Sequence, residues 1–153
     1  RLQMHILLGD LYHQQKNHLL SDKNYSDALK IQPSNALVLN NFAYYLGLRN
    51  QELDRALGMS RRALEIEPDN ASYLDTYAWV LYAMGRYADA LEPMTKALSL
   101  SPENATMLDH YGDILYQNNQ TEAAKAQWAK ALQFDEGNLE IQSKLRSGLP
   151  IRP

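Results

Sequence analysis

Four histidines, His5, His13, His18 and His110, eighteen Asp and Glu residues and no cysteine are the inventory from which this 153-residue chain could build a reactive centre. A helical zinc site of the metalloprotease type needs two histidines four positions apart with a glutamate between them, and no such pair occurs. The absence of thiols removes thiolate zinc sites, a disulfide framework and a cysteine nucleophile. Asp109 stands beside His110, but adjacent helical residues point about 100° apart and do not face each other. The seven glycines are never closer than eleven positions, which excludes a glycine-rich phosphate cradle. Asn-x-Ser/Thr matches begin at Asn24, Asn70, Asn104 and Asn119, where the asparagines fit helix caps and turns better than glycan acceptors. The expectation is a chain with no catalytic residue, no metal and no cofactor, and therefore not an enzyme.

Composition points the same way. With 45% hydrophobic and 22% charged residues the chain resembles a folded protein and not a disordered one. No apolar run approaches the ~18 residues of a membrane span, so no membrane insertion of this segment is expected, and any targeting signal would lie outside it. The net charge of −3 is graded: Lys and Arg set against Asp and Glu give 0 over residues 2–35, −1 over 36–70, −2 over 71–104 and −3 over 105–138, with +2 over 139–153. Nucleic acid needs a basic stripe, so it is disfavoured, and a neutral or basic protein partner is favoured.

The spacing of a short motif organises the rest. Pro33-Ser34-Asn35, Pro68-Asp69-Asn70, Pro102-Glu103-Asn104 and Glu136-Gly137-Asn138 recur 35, 34 and 34 residues apart, the period of a helix-turn-helix repeat. The repeats are then 2–35, 36–70, 71–104 and 105–138. Their eighth position holds Gly9, Ala43, Ala78 and Gly112, the twentieth Ser21, Ala56, Ala90 and Ala124, and the twenty-seventh Ala28, Ala63, Ala97 and Ala131. Ala, Gly and Ser are about a fifth of the chain, so twelve small residues in twelve places mark helix crossings where backbones must approach to about 8–10 Å. Asn35, Asn70, Asn104 and Asn138 each precede an apolar-periodic stretch and are suited to cap it. Breaks at Lys16-Asn17, Arg49 to Gln51, Gly85-Arg86 and Asn118 to Gln120 split each repeat into two helices of about 13–15 residues. A ninth helix over about 139–147 has Leu139, Ile141 and Leu145 as its apolar residues, exposes Gln142, Lys144 and Arg146, and caps the last hairpin. Pro93 falls inside a helix and predicts a kink or an early 3₁₀ turn.

These residues resemble the tetratricopeptide repeat family over residues 2–138. The third repeat carries Leu74, Tyr77, Ala78, Leu81, Gly85, Ala90, Met94, Ala97 and Pro102 at the family's signature positions. The fourth carries Leu108, Tyr111, Gly112, Leu115, Ala124, Trp128 and Ala131, with Glu136 and Asn119 replacing the closing Pro and the turn Gly. The resemblance implies an all-α, right-handed superhelical stack of antiparallel helix pairs with a C-terminal capping helix, one array over 1–149 with 150–153 as a tail. It also implies a protein-interaction scaffold that binds a peptide or protein segment in the groove lined by the first helix of each pair. The groove positions expected to matter are Asn40, Tyr44, Asp75, Trp79, Tyr82, Asp109, Asp113 and Tyr116, a mixture of aromatic faces and carboxylates suited to a partner with apolar anchors and basic residues. The family members that grip a terminal carboxylate use Lys and Asn in this groove. Here the fifth positions are Ile6, Asn40, Asp75 and Asp109, so an acidic C-terminal peptide is not expected.

The strings Asn41-Phe42-Ala43-Tyr44-Tyr45-Leu46, Tyr73 to Tyr82 and Leu108 to Tyr116 look similar to the C-terminal repeats of bacterial tetratricopeptide lipoproteins. That implies a periplasmic or outer-membrane-associated setting, with a cytoplasmic one as the alternative, and further repeats ahead of Arg1. Two other readings stand beside the scaffold: a substrate-recruiting arm of a larger enzyme, and a homodimer formed through the uncapped first hairpin.

Overall fold

A computed structural model describes residues 1–150, and among them are nine α-helices and no strand. The end of the expected tail, residues 151–153, lies outside the described residues. The described chain forms two compact units that divide after Pro68. The first contains α1 (Leu2–Gln14), α2 (His18–Ile31), α3 (Ala36–Leu48) and α4 (Leu53–Ile66). The second contains α5 (Ala71–Ala83), α6 (Tyr87–Leu100), α7 (Ala105–Gln117), α8 (Thr121–Phe134) and α9 (Leu139–Ser147).

The starts of the helices follow from their caps. The side chains of Asn35, Asn70, Asn104 and Asn138 accept hydrogen bonds from the amides of Val38, Tyr73, Met107 and Ile141 at 3.0–3.1 Å. Each satisfies an amide that the first helical turn leaves orphaned, a contribution of about 1 kcal/mol. Within each hairpin the turn passes through one left-handed residue: Lys16, Asn50, Gly85 and Asn119. Only one of the four is glycine, and the two asparagines are the residues that tolerate this conformation best after it. The extra residue of the second repeat is absorbed by a second left-handed residue, Glu52. Pro93 does not produce the expected 3₁₀ turn. The α-helix runs unbroken from Tyr87 to Leu100, so the neighbouring turns hold the helix although Asp89 loses an amide donor.

All twelve small residues at the three repeat positions are buried. Their side-chain size is matched to what stands opposite. A β-carbon added at Gly9 would lie 2.7 Å from the Tyr25 ring, and one at Gly112 would lie 2.3 Å from the indole nitrogen of Trp128. Tyr25 and Trp128 occupy the same place in the first and fourth repeats, where the second and third have Ser60 and Met94. The glycine repeats thus carry a large aromatic and the alanine repeats a smaller or flexible residue, and all four of these side chains are buried. Trp128 is fully buried in a cluster with Leu108, Leu115, Ala124, Ala131 and Ile141, so its ring has nowhere to move.

Gly112→Ala is expected to lower stability in denaturant unfolding by ~1–3 kcal/mol through overpacking. In a double-mutant cycle with Trp128→Met, which recreates the Ala78 and Met94 combination, the two changes should compensate by about 1 kcal/mol or more. Additivity within error would show that the indole does not set the size of residue 112.

Candidate functional site

The second unit brings together six of the eight groove residues expected from sequence, on α5 and α7. Asp75, Trp79 and Tyr82 lie along α5, and Asp109, Asp113 and Tyr116 along α7. The remaining two, Asn40 and Tyr44, lie on α3 in the first unit. Asn40 is buried with its amide 3.3 Å from Asn41 Oδ1, and Tyr44 is half-buried with its ring tilted against Tyr45.

Asp75, Asp109 and Asp113 already face basic side chains of the chain itself. His110 Nδ1 lies 2.8 Å from Asp75 Oδ1. Lys144 Nζ, on α9, donates to Asp109 Oδ1 at 2.8 Å and reaches Asp113 at 3.0–3.1 Å, with Glu140 3.7 Å away. Asp113 also accepts from Trp128 Nε1 at 3.0 Å. Lys144 was expected on the exposed side of the capping helix; instead it is buried, because α9 lays it between two carboxylates that would otherwise be desolvated without a counter-charge. The two contacts repeat: Asp75 to His110 and Asp109 to Lys144 each span 35 residues, from the fifth position of one repeat to the sixth of the next. Adjacent Asp109 and His110 therefore serve different partners, as their helical separation requires.

Aromatic rings continue the arrangement. Trp79 stacks on His110, with centroids 4.1 Å apart and planes 22° apart, and on Tyr82, with 4.7 Å and 13°. Tyr82 is buried and tilts against Tyr87 at 5.2 Å, whereas Trp79 is half-buried. Tyr116 packs on Trp128 and on Gly148, which follows α9 with a φ of +70° and has no room for a side chain. From there Leu149 and Pro150 turn back beside Trp79, Tyr82, Gln117, Glu140, Ser143 and Lys144 to enclose an open cleft of about 410 Å³. No group of three His, Asp or Glu side chains able to hold a metal ion occurs among the described residues, and no described helix is long and apolar enough to cross a membrane.

Sequence reasoning missed Lys144, Glu140, Leu149 and Pro150 as parts of this site. The available signal was the 35-residue offset between acid and base, which becomes visible only when residues are compared from one repeat to the next.

Burial pushes the Asp113 carboxyl up to about 6, and the like charge of Asp109 adds to this while Lys144 and His110 oppose it. For His110 burial acts downward, but Asp75 outweighs it, with Asp109 and Asp113 contributing, and the pKa is raised. The Lys144 ammonium is also raised, since Asp113 and Asp109 overcome its desolvation. For both His110 and Asp113 the folded value lies above the unfolded one, so folding takes up protons. The His110 contribution is fully present below pH 6.5 and is lost as pH rises through its folded value; that of Asp113 grows as pH falls through about 6 and is complete below 3.8.

Two measurements check this. A protonated imidazole stacked on indole quenches it, so tryptophan emission should rise with pH at a midpoint above 6.5 and lose that transition in His110→Gln. Lys144→Met should cost about 3 kcal/mol at neutral pH by leaving buried carboxylates unpaired, and the cost should shrink on acidification as Asp113 protonates. A pH-independent loss would assign the effect to packing.

Comparison with known proteins places this geometry. The tetratricopeptide repeat pattern matches residues 2–35 and, in a second form, residues 81–147, together about two thirds of the chain. No curated protein matches the sequence. Among solved structures, pilF of Pseudomonas aeruginosa superposes with a TM-score of 0.81 at 25% identity, over 94% of this chain and 65% of that one, so the chain spans less than two thirds of that relative. An O-GlcNAc transferase from Thermobaculum terrenum gives 0.79 at 19% identity, over 86% of this chain and 26% of the enzyme. The first repeat domain of Spaghetti (RPAP3), bound to the HSP90 peptide SRMEEVD, gives 0.67 at 20% identity, over 72% of this chain and 87% of that one.

Proposed function

The chain belongs to the tetratricopeptide repeat family, and from that premise we propose that it is a protein-interaction scaffold whose second unit binds a segment of another protein in the cleft between Trp79, Lys144 and Pro150. The observation that carries this reading is the half-buried Trp79 ring, held in place by Tyr82 and His110 at the wall of an open cleft. A fixed aromatic at a concave site offers large contact area at little entropic cost, which is the character of an interface anchor.

The partner chemistry follows from the charges left over. Among the described residues, Asp75, Asp109 and Asp113 face two bases, His110 and Lys144, and Glu140 stands exposed at the rim. The site is therefore acidic on balance and suits a neutral or basic segment with an apolar anchor. The neighbour that holds SRMEEVD binds an acidic peptide, and Asp75 and Asp109 would oppose such a ligand here. A bacterial envelope setting belongs to the same proposal and is supported by the sequence strings on α3, α5 and α7.

A displayed library of random dodecapeptides selected on the chain provides the test. Selected sequences should pair an aromatic or aliphatic residue with Lys or Arg, and their binding should fall at least tenfold in Trp79→Ala and in Glu140→Lys. Selection of acidic peptides, or binding unchanged in Trp79→Ala, would move the interface elsewhere.

The likeness to a quarter of the O-GlcNAc transferase favours a second reading, in which the scaffold is the substrate-recruiting arm of a larger enzyme. A catalytic domain encoded in the same reading frame would support it, and a reading frame of tetratricopeptide hairpins alone would end it.

A further inference from the structure

After α9 the chain turns back into the cleft instead of leaving it. Helices α5 and α7 run for thirteen residues, whereas α9 stops after nine, at Ser147. Gly148 follows with φ +70° and ψ −168°, a region that glycine alone enters freely. A β-carbon there would lie 2.5 Å from the Tyr116 hydroxyl, so the backbone conformation and the close approach both require glycine. The last backbone hydrogen bond of α9 runs from Gly148 N–H to Lys144 O at 2.8 Å. Beyond it Leu149 packs, half-buried, against the cluster that holds Trp128, and with the exposed Pro150 it lines the cleft alongside Trp79 and Tyr82.

The segment brings to the cleft the chemistry that the cleft itself favours. Leu149 is an aliphatic anchor, Pro150 fixes its own φ and so stiffens the strand, and the sequence continues with Ile151 and Arg152. Arg152 is two residues past Pro150, roughly 7 Å of extended chain. The acidic groups lining the cleft are Asp113 and Glu140, the second with its side chain 80% exposed. An aliphatic residue, a proline and a base thus meet aromatic rings and carboxylates. The hold is light, because one half-buried leucine favours the seated arrangement by only about tenfold.

We infer that Leu149 to Arg152 is an intramolecular ligand of the cleft, and that a partner binds by displacing it with a segment of the same pattern: aliphatic residue, proline, then a base. This rests on the reading of the cleft as a site for a segment of another protein, and adds to it the order of the recognised residues and a built-in competitor. Gly148 is the hinge on which the competitor leaves. A partner's apparent affinity is lowered by about the factor that favours the seated form, again roughly tenfold.

The probe is an acetylated, fluorescent peptide of residues 148–153. Its binding to the full chain is compared with binding to Leu149→Ser/Pro150→Ser, which weakens the internal ligand without altering α9. Fluorescence anisotropy should show affinity for the double variant higher by about fivefold or more, and that binding should be lost when Trp79→Ala is added. Gly148→Ala, which misdirects the segment by another route, should also bind the peptide more tightly than the unaltered chain. In the unaltered chain, NMR should show the Leu149 methyl signals, displaced by the neighbouring rings, moving to those of a solvated leucine as peptide saturates the cleft. Equal affinity for the unaltered chain and the double variant would overturn the inference. So would Leu149 methyl signals that stay in place at saturation, or no binding to a double variant whose circular dichroism matches the unaltered chain. Library peptides that bind both chains equally would keep the cleft as a partner site and remove the internal ligand. Binding of the 148–153 peptide alone, with no library peptide selected, would do the reverse.

Discussion

How closely two helices of a hairpin approach is decided at one crossing, and much of the second unit depends on how it is solved there. Gly112 leaves space that only a large flat side chain fills, and Trp128 fills it. An indole buried this deeply needs an acceptor for its N–H, and Asp113 supplies one. A carboxylate so placed needs a cation, and Lys144 reaches it from α9. Docking of α9 in turn directs Gly148, Leu149 and Pro150 back over Tyr116 and encloses the cleft. A missing side chain at residue 112 is thus linked, one contact at a time, to the shape of a site built around Trp79. The first unit uses the same opening moves, Gly9 against Tyr25 with the Tyr25 hydroxyl on Asp10.

Electrostatics gives the second unit a different character from an ordinary apolar stack. Each rung from one repeat to the next joins an acid to a base across 35 residues, and each base sits where an aliphatic residue would serve for packing alone. Such pairs contribute little net stability compared with well-packed carbon, but they penalise misalignment heavily, because a shift of one helical turn strands several buried charges. The rungs therefore fix the register of α5, α7 and α9. Stacking of His110 on Trp79 ties that register to the wall of the cleft.

Helix number, the four asparagine caps, the turns and the twelve small positions were legible in the sequence because each has a local cause: a capping side chain, a break in periodicity, or a recurring size. The match of Gly to Tyr25 or Trp128 was also written there, though it shows only when two positions of a repeat are compared with each other. Asp75, Trp79 and Asp109 were picked out as groove residues, but their partners were not, since His110 and Lys144 belong to the following repeat. Lys144 was misplaced for a physical reason. A lysine on a short terminal helix is normally solvated, and only a pair of carboxylates 2.8–3.1 Å from its ammonium, though more than thirty residues away in sequence, reverses that preference. Pro93 likewise predicts a kink or an early 3₁₀ turn, yet the α-helix runs unbroken from Tyr87 to Leu100.

The pairing of Gly with an aromatic and of Ala with Ser or Met has an implication for how such a chain can change over evolutionary time. Repeats of equal length invite unequal recombination, and a crossover in the loops between hairpins would exchange self-consistent pieces. A crossover in the turn inside a hairpin would not. It would set Ala78 against Trp128 or Gly112 against Met94, crowding the first combination and hollowing the second. Duplication and loss should therefore have proceeded by whole hairpins, with boundaries at the asparagine caps, and the two ends of each small-to-large pair should be inherited together.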